Sequence, residues 1–145
     1  MYKRQNLVFA LDEALKMMRE EGLDKIFLRH NKHKLAISNA IKVLNLKLFA
    51  NEKYLSPSIT AIKTEGIDAE EFRKTIKNNF DILLAGGQDH LKGKIFRVGH
   101  LGYVNDRDII TVVSAISNTL FDLKKITAQQ AGEALVVTSR YLKEN

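Results

Sequence analysis

The 145-residue chain has no cysteine, a single proline and no apolar run approaching the roughly 20 residues needed to cross a bilayer as a helix. Without cysteine it can form no disulfide, present no catalytic thiolate and build neither an iron–sulfur cluster nor a thiolate zinc site. The N-terminus lacks a secretory signal pattern, so a cytoplasmic location is expected. Phosphate-binding signatures are missing too: Gly86-Gly87 has neither the GK[ST] of a Walker A loop nor GxGxxG spacing. Ser38, Ser56, Ser58, Ser114, Ser117 and Ser139 lie in no nucleophile elbow, and the four histidines lack an evident carboxylate to orient them. The acidic residues cluster in the first and last turns of predicted helices. Capping explains those in the first turns, and no acid–base carboxylate pair emerges.

A composition of 45% hydrophobic and 28% charged residues describes one ordinary soluble domain over residues 1–145. A net charge of +6 admits nucleic acid or a small anion as partner. The charge is nevertheless spread along the chain, which suits a solvated surface better than a binding tail.

In chain order, Arg4 to Glu21 reads as a helix with Leu7, Leu11, Ala14 and Met18 on one stripe, stopped by Gly22. Asp24 is placed to cap a second helix reaching about Leu44, with Ile37, Ala40, Ile41 and Leu44 on its apolar side. Its basic middle, Arg29-His30-Asn31-Lys32-His33-Lys34, reads as a solvated face rather than a nucleic-acid stripe. His30 and His33 have metal-ligand spacing but no third ligand nearby in sequence. Short strands are expected at Leu46–Phe49, Ser58–Lys63, Ile82–Ala85 and Ile95–Val98. Asp68 with Glu71, Asn105 with Asp108, and Thr127 with Gln130 open three further helices. Strands interleaved with helices through tight connections imply an α+β fold, a small and mainly antiparallel sheet of three to four strands with helices on one face.

Five of the eight glycines fall between Ala85 and Gly102, among His90, Lys92, Lys94, Arg97 and His100. Glycines there let the backbone turn sharply and let another surface approach. Alternation along the last strand puts Phe96 and Val98 on the core face and Arg97 on the other. Three readings of Arg97 compete: a structural ion pair, part of a basic nucleic-acid patch, or a planar clamp on a small carboxylate or phosphate. The second is weakened because RNA-binding sheets need exposed aromatics, and Phe96 belongs to the core side.

The run Ala85-Gly86-Gly87-Gln88 through Leu91-Lys92-Gly93-Lys94-Ile95-Phe96-Arg97-Val98-Gly99-His100-Leu101-Gly102 resembles the C-terminal signature of class V aminotransferases. These are fold-type I pyridoxal-phosphate enzymes of the alanine–glyoxylate and serine–pyruvate group. Asn6 to Leu15 followed by Glu20-Glu21-Gly22-Leu23 is similar to the helix opening the family's small domain, and Ser56 to Ala61 to its first core strand. Some relatives carry the label of a soluble hydrogenase subunit, a chemistry whose nickel or iron–sulfur centres a chain without cysteine cannot hold.

The resemblance implies that Arg97 holds the α-carboxylate of an amino-acid substrate, at a site closed against a large domain. That domain, absent from these residues, would supply the Schiff-base lysine and bind the pyridoxal phosphate; Lys63 and Lys94 are not substitutes for it. No catalytic, cofactor-binding or metal residue is expected in this chain, which alone would be inert and bind no cofactor. The parent enzyme would be a homodimeric transaminase moving an amino group from an amino acid to a 2-oxo acid or glyoxylate. The alternative is a free-standing regulatory or RNA-binding module using the basic surface.

Overall fold

Capping chemistry sets the main boundaries in the computed structural model, which describes residues 4–143. Helix α1 (Gln5–Glu21) ends where Gly22 takes φ +85° and returns its N–H to the Met18 carbonyl. Helix α2 (Leu23–Val43) therefore starts from Gly22, and Asp24 lies in its first turn instead of capping it. Asn45, at φ 57°, reverses the chain after α2. Asp68 accepts from the N–H groups of Glu70 and Glu71 to open α3 (Ala69–Phe80). Asn105 and Asp108 exchange side-chain and backbone bonds in a full capping box at the start of α4 (Asp106–Asp122). Thr127 and Gln130 do the same before α5 (Ala128–Lys143).

The strands are β1 (Lys47–Leu48), β2 (Ile59–Lys63), β3 (Ala85–Gly86) and β4 (Ile95–Gly99), all paired antiparallel in the order β1-β2-β4-β3. Three of them are shorter than expected, β2 by one residue and β1 and β3 by two each. Ile82 to Leu84 is irregular, and only Ala85 and Gly86 pair with β4. The α+β class, the antiparallel sheet and the helical cover on one face match the sequence expectation.

Register decides which side chains meet the helices. Ile62 lies opposite Phe96, and Thr60 opposite Val98; all four are buried. Phe96 is the largest fully buried side chain, tilted against Phe72 of α3 with ring centroids 5.2 Å apart. Ile37 and Ile41 of α2 and Val113, Ile116 and Leu120 of α4 complete the same core. Burial of this apolar area holds the layers together at about 25 cal/mol per Å².

Candidate functional site

Arg97 is the middle residue of β4, with Ala61 of β2 on one side and Ala85 of β3 on the other. As alternation requires, it points away from Phe96 and Val98 and is partly exposed. The Nε–H donates to the Gly86 carbonyl at 2.9 Å, and among the described residues no carboxylate pairs with either terminal nitrogen. A guanidinium tethered through Nε keeps both terminal NH2 groups for an incoming planar anion. The structural ion pair considered from sequence is therefore not what Arg97 makes.

The glycine loop beside β4 is fixed by backbone contact. A Cβ on Gly87 would lie 2.1 Å from the Leu91 carbonyl oxygen, so no larger residue fits without moving the chain. The Gly87 N–H bonds the Ile95 carbonyl at 3.2 Å and ties the loop to β4. Gly93 turns the chain at φ +73°. The basic neighbours disperse: His90, Lys92 and Lys94 are exposed. Lys63, on the same side of the sheet as Arg97, extends over the Phe49 ring at 5.9 Å.

His100 goes to the opposite side and is fully buried, with its Nε2 2.9 Å from the Thr60 hydroxyl. Burial, with His33 and His30 close by, lowers its pKa to about 4, so it is neutral at physiological pH.

The basic middle of α2 departs most from expectation. It is not a solvated face but a brace for the segment that follows β4. Arg29 grips Glu21 with two bonds of 2.6 and 2.8 Å and donates to the Gly102 and Val104 carbonyls at 2.9 Å. The Gly102 N–H donates to His30 Nε2 at 3.2 Å, which leaves Nδ1–H to donate to the Ile26 carbonyl at 2.8 Å. His33, fully buried, donates from Nε2 to Asp106 at 2.9 Å, and Lys32 donates to the other carboxylate oxygen at 3.0 Å. Burial pushes the His33 pKa down against the pull of Asp106. Burial alone would raise Asp106, but His33 and Lys32 outweigh it and hold the carboxyl below its usual range. The only local signal was that positions 29, 30, 32 and 33 share one side of a helix; the partners they brace, Gly102, Val104 and Asp106, lie more than 70 residues away. Among the described residues no group of three metal-ligating side chains assembles, and no helix is long and apolar enough to cross a membrane.

No family model matches the chain. It is 50% identical over 137 residues to the protein called soluble hydrogenase, small subunit, of Synechococcus sp. (strain PCC 6716), covering 94% of this chain and 35% of that one. It is 32% identical over 142 residues to the serine–glyoxylate aminotransferase of Methylorubrum extorquens, covering 96% and 35%. The crystal structure of ureidoglycine–glyoxylate aminotransferase from Bacillus subtilis superposes with a TM-score of 0.83 at 30% identity, covering 91% of this chain and 35% of that one. The chain spans about a third of the length of the curated relatives it matches.

Proposed function

Because its homologues are class V aminotransferases and it corresponds to their small C-terminal domain, we propose that this chain forms one wall of an aminotransferase active site. In that reading Arg97 binds the carboxylate of the amino-acid or 2-oxo-acid substrate. The open face of the sheet closes against a large domain, and the parent enzyme is a cytoplasmic homodimer.

One observation carries the reading. Arg97 lies between two alanines on the face of the sheet opposite the core, held by the Gly86 carbonyl, with no acidic partner among the described residues. A half-buried guanidinium without a counter-ion favours an anion, and its planar fork suits a carboxylate.

The cofactor of such an enzyme, pyridoxal phosphate, supplies the electron sink for amino transfer when bound. This chain's own residues do not fit it. A Schiff-base lysine needs an enclosed site that depresses its pKa, whereas Lys94 is exposed and Lys63 lies over an aromatic ring. The chain's contribution is to bind and orient the substrate carboxylate. By itself it is inert.

An RNA-binding module loses its footing, because Arg29 and Lys32 of the basic stretch are spent on Glu21 and Asp106. The test is Arg97→Ala in the enzyme reassembled with its large domain. Loss of a charged hydrogen bond worth about 1.5–3 kcal/mol should raise KM for the amino acid by roughly 10- to 150-fold. A change below about twofold, or one equalled by Lys92→Ala, would remove the carboxylate role.

A further inference from the structure

Strand β3 is two residues long and lies at the edge of the sheet, where among the described residues it pairs with β4 alone. The Gly87 N–H points back to the Ile95 carbonyl. By the alternation of an antiparallel ladder, the Gly86 carbonyl points the other way, to the open edge. Arg97 therefore reaches over β3 to donate its Nε–H there at 2.9 Å. Where the fork stands is decided by where this short strand stands.

A second arginine holds the same strand from the opposite face. Arg73 of α3 donates its Nε–H to the Leu84 carbonyl at 2.7 Å, and its Nη1 donates at 2.8 Å to both carboxylate oxygens of Glu70, one turn back on the helix. Gly86 pairs with Phe96 and so turns its bare side to the helices. A Cβ there would come 2.5 Å from Arg73 Nη1 and 2.7 Å from Glu70 Oε1. The ion pair sits directly against the residue whose carbonyl tethers Arg97, and a larger residue at 86 would displace it. Ile82 to Leu84 forms no ladder, so Arg73 supplies on that approach what strand pairing does not.

We propose that Arg73, oriented by Glu70, is a positioning residue for Arg97. It fixes the edge strand that carries the Gly86 carbonyl, and through that carbonyl the direction in which the carboxylate-binding fork points. Arg73 lies on the helix side of the sheet, away from the open face, so it acts through Arg97 and not on the substrate. A binding group keeps its geometry only when the groups behind it are themselves locked by hydrogen bonds and packing. The role rests on Arg97 binding the substrate carboxylate.

Two measurements test it. In the 145-residue chain the Arg97 Nε–H should give a resolved, slowly exchanging proton–nitrogen resonance. Arg73→Ala should speed that exchange at least about 10-fold while the Ile62 and Phe96 amides keep theirs. Gly86→Ala, which displaces the ion pair without removing it, should act in the same direction. In the enzyme reassembled with its large domain, Arg73→Ala should raise KM for the amino acid about 3- to 10-fold with kcat within about twofold. That rise should vanish in an Arg97→Ala background. Unchanged Arg97 Nε–H exchange in both variants overturns the proposal, as does a KM rise of the same size with and without Arg97. The carboxylate reading fails separately, through an Arg97→Ala enzyme of unaltered KM, and the exchange rates then still decide whether Arg73 holds the fork.

Discussion

Replacing Asp106 with alanine should destabilise the domain by about 2–4 kcal/mol, and replacing it with asparagine by only about 1 kcal/mol. The Asp106 carboxylate joins α4 to α2 through His33 at 2.9 Å and Lys32 at 3.0 Å. His33 is 0% exposed and its Nδ1 already lacks a partner. Alanine strands the Nε2–H as well, and an unsatisfied buried donor costs about 1–3 kcal/mol. The half-exposed Lys32 pair adds about 0.5 kcal/mol, and loss of a negative charge in the first turn of α4 a similar amount. Asparagine keeps an oxygen for His33 and forfeits only the two charge terms. Urea unfolding followed by circular dichroism separates the cases, since stabilities of 5–15 kcal/mol make a 2 kcal/mol difference plain. Equal losses in the two variants, or a loss below about 0.5 kcal/mol for alanine, would mean that the carboxylate does not satisfy His33.

Acid should weaken the fold before its carboxylates titrate. His100 has a folded pKa of about 4, below the roughly 6.5 of an unfolded histidine. The native state then binds fewer protons between those values, and stability falls as pH drops through that window. His33 is shifted in the same direction. The full His100 shift corresponds to about 3 kcal/mol, of which about 2 kcal/mol is expected after screening; urea midpoints that stay level from pH 7 to 4 would refute this. Gly87→Ala should cost more than about 2 kcal/mol, because its Cβ meets backbone at Leu91 and not a movable side chain. A stable Gly87→Ala protein with unshifted Ile95 amide resonances would show that the loop yields. Phe96→Ala should cost about 3–5 kcal/mol by opening the middle of the core, measured by the same denaturation.

The fold was legible where local chemistry and periodicity agreed. The Asn105–Asp108 box and the Ile109, Val112, Val113, Ile116, Leu120 stripe specify α4 without tertiary help, and α4 is as expected. Alternation in β4 likewise placed Phe96, Arg97 and Val98 on their correct faces. Strand β3 was overestimated because Ile82-Leu83-Leu84 is apolar enough for a strand, yet Leu83 is 78% exposed and finds no neighbour to pair with. The brace was illegible for a different reason. Whether Arg29, Lys32 and His33 face water or Asp106 depends on how α2 and α4 approach, and hydropathy along either helix carries no trace of that. Alternation singled out Arg97 and the resemblance implied a role for it; its tether to Gly86 required coordinates.

That tether has a thermodynamic consequence. An arginine side chain carries about 2 kcal/mol of rotamer freedom, which a flexible surface arginine surrenders each time it captures a ligand. With Nε already bonded to the Gly86 carbonyl and alanines on both flanks, much of that ordering is completed when the sheet forms. The cost is thus charged to folding, and the carboxylate proposed to bind Arg97 would meet a fork already set.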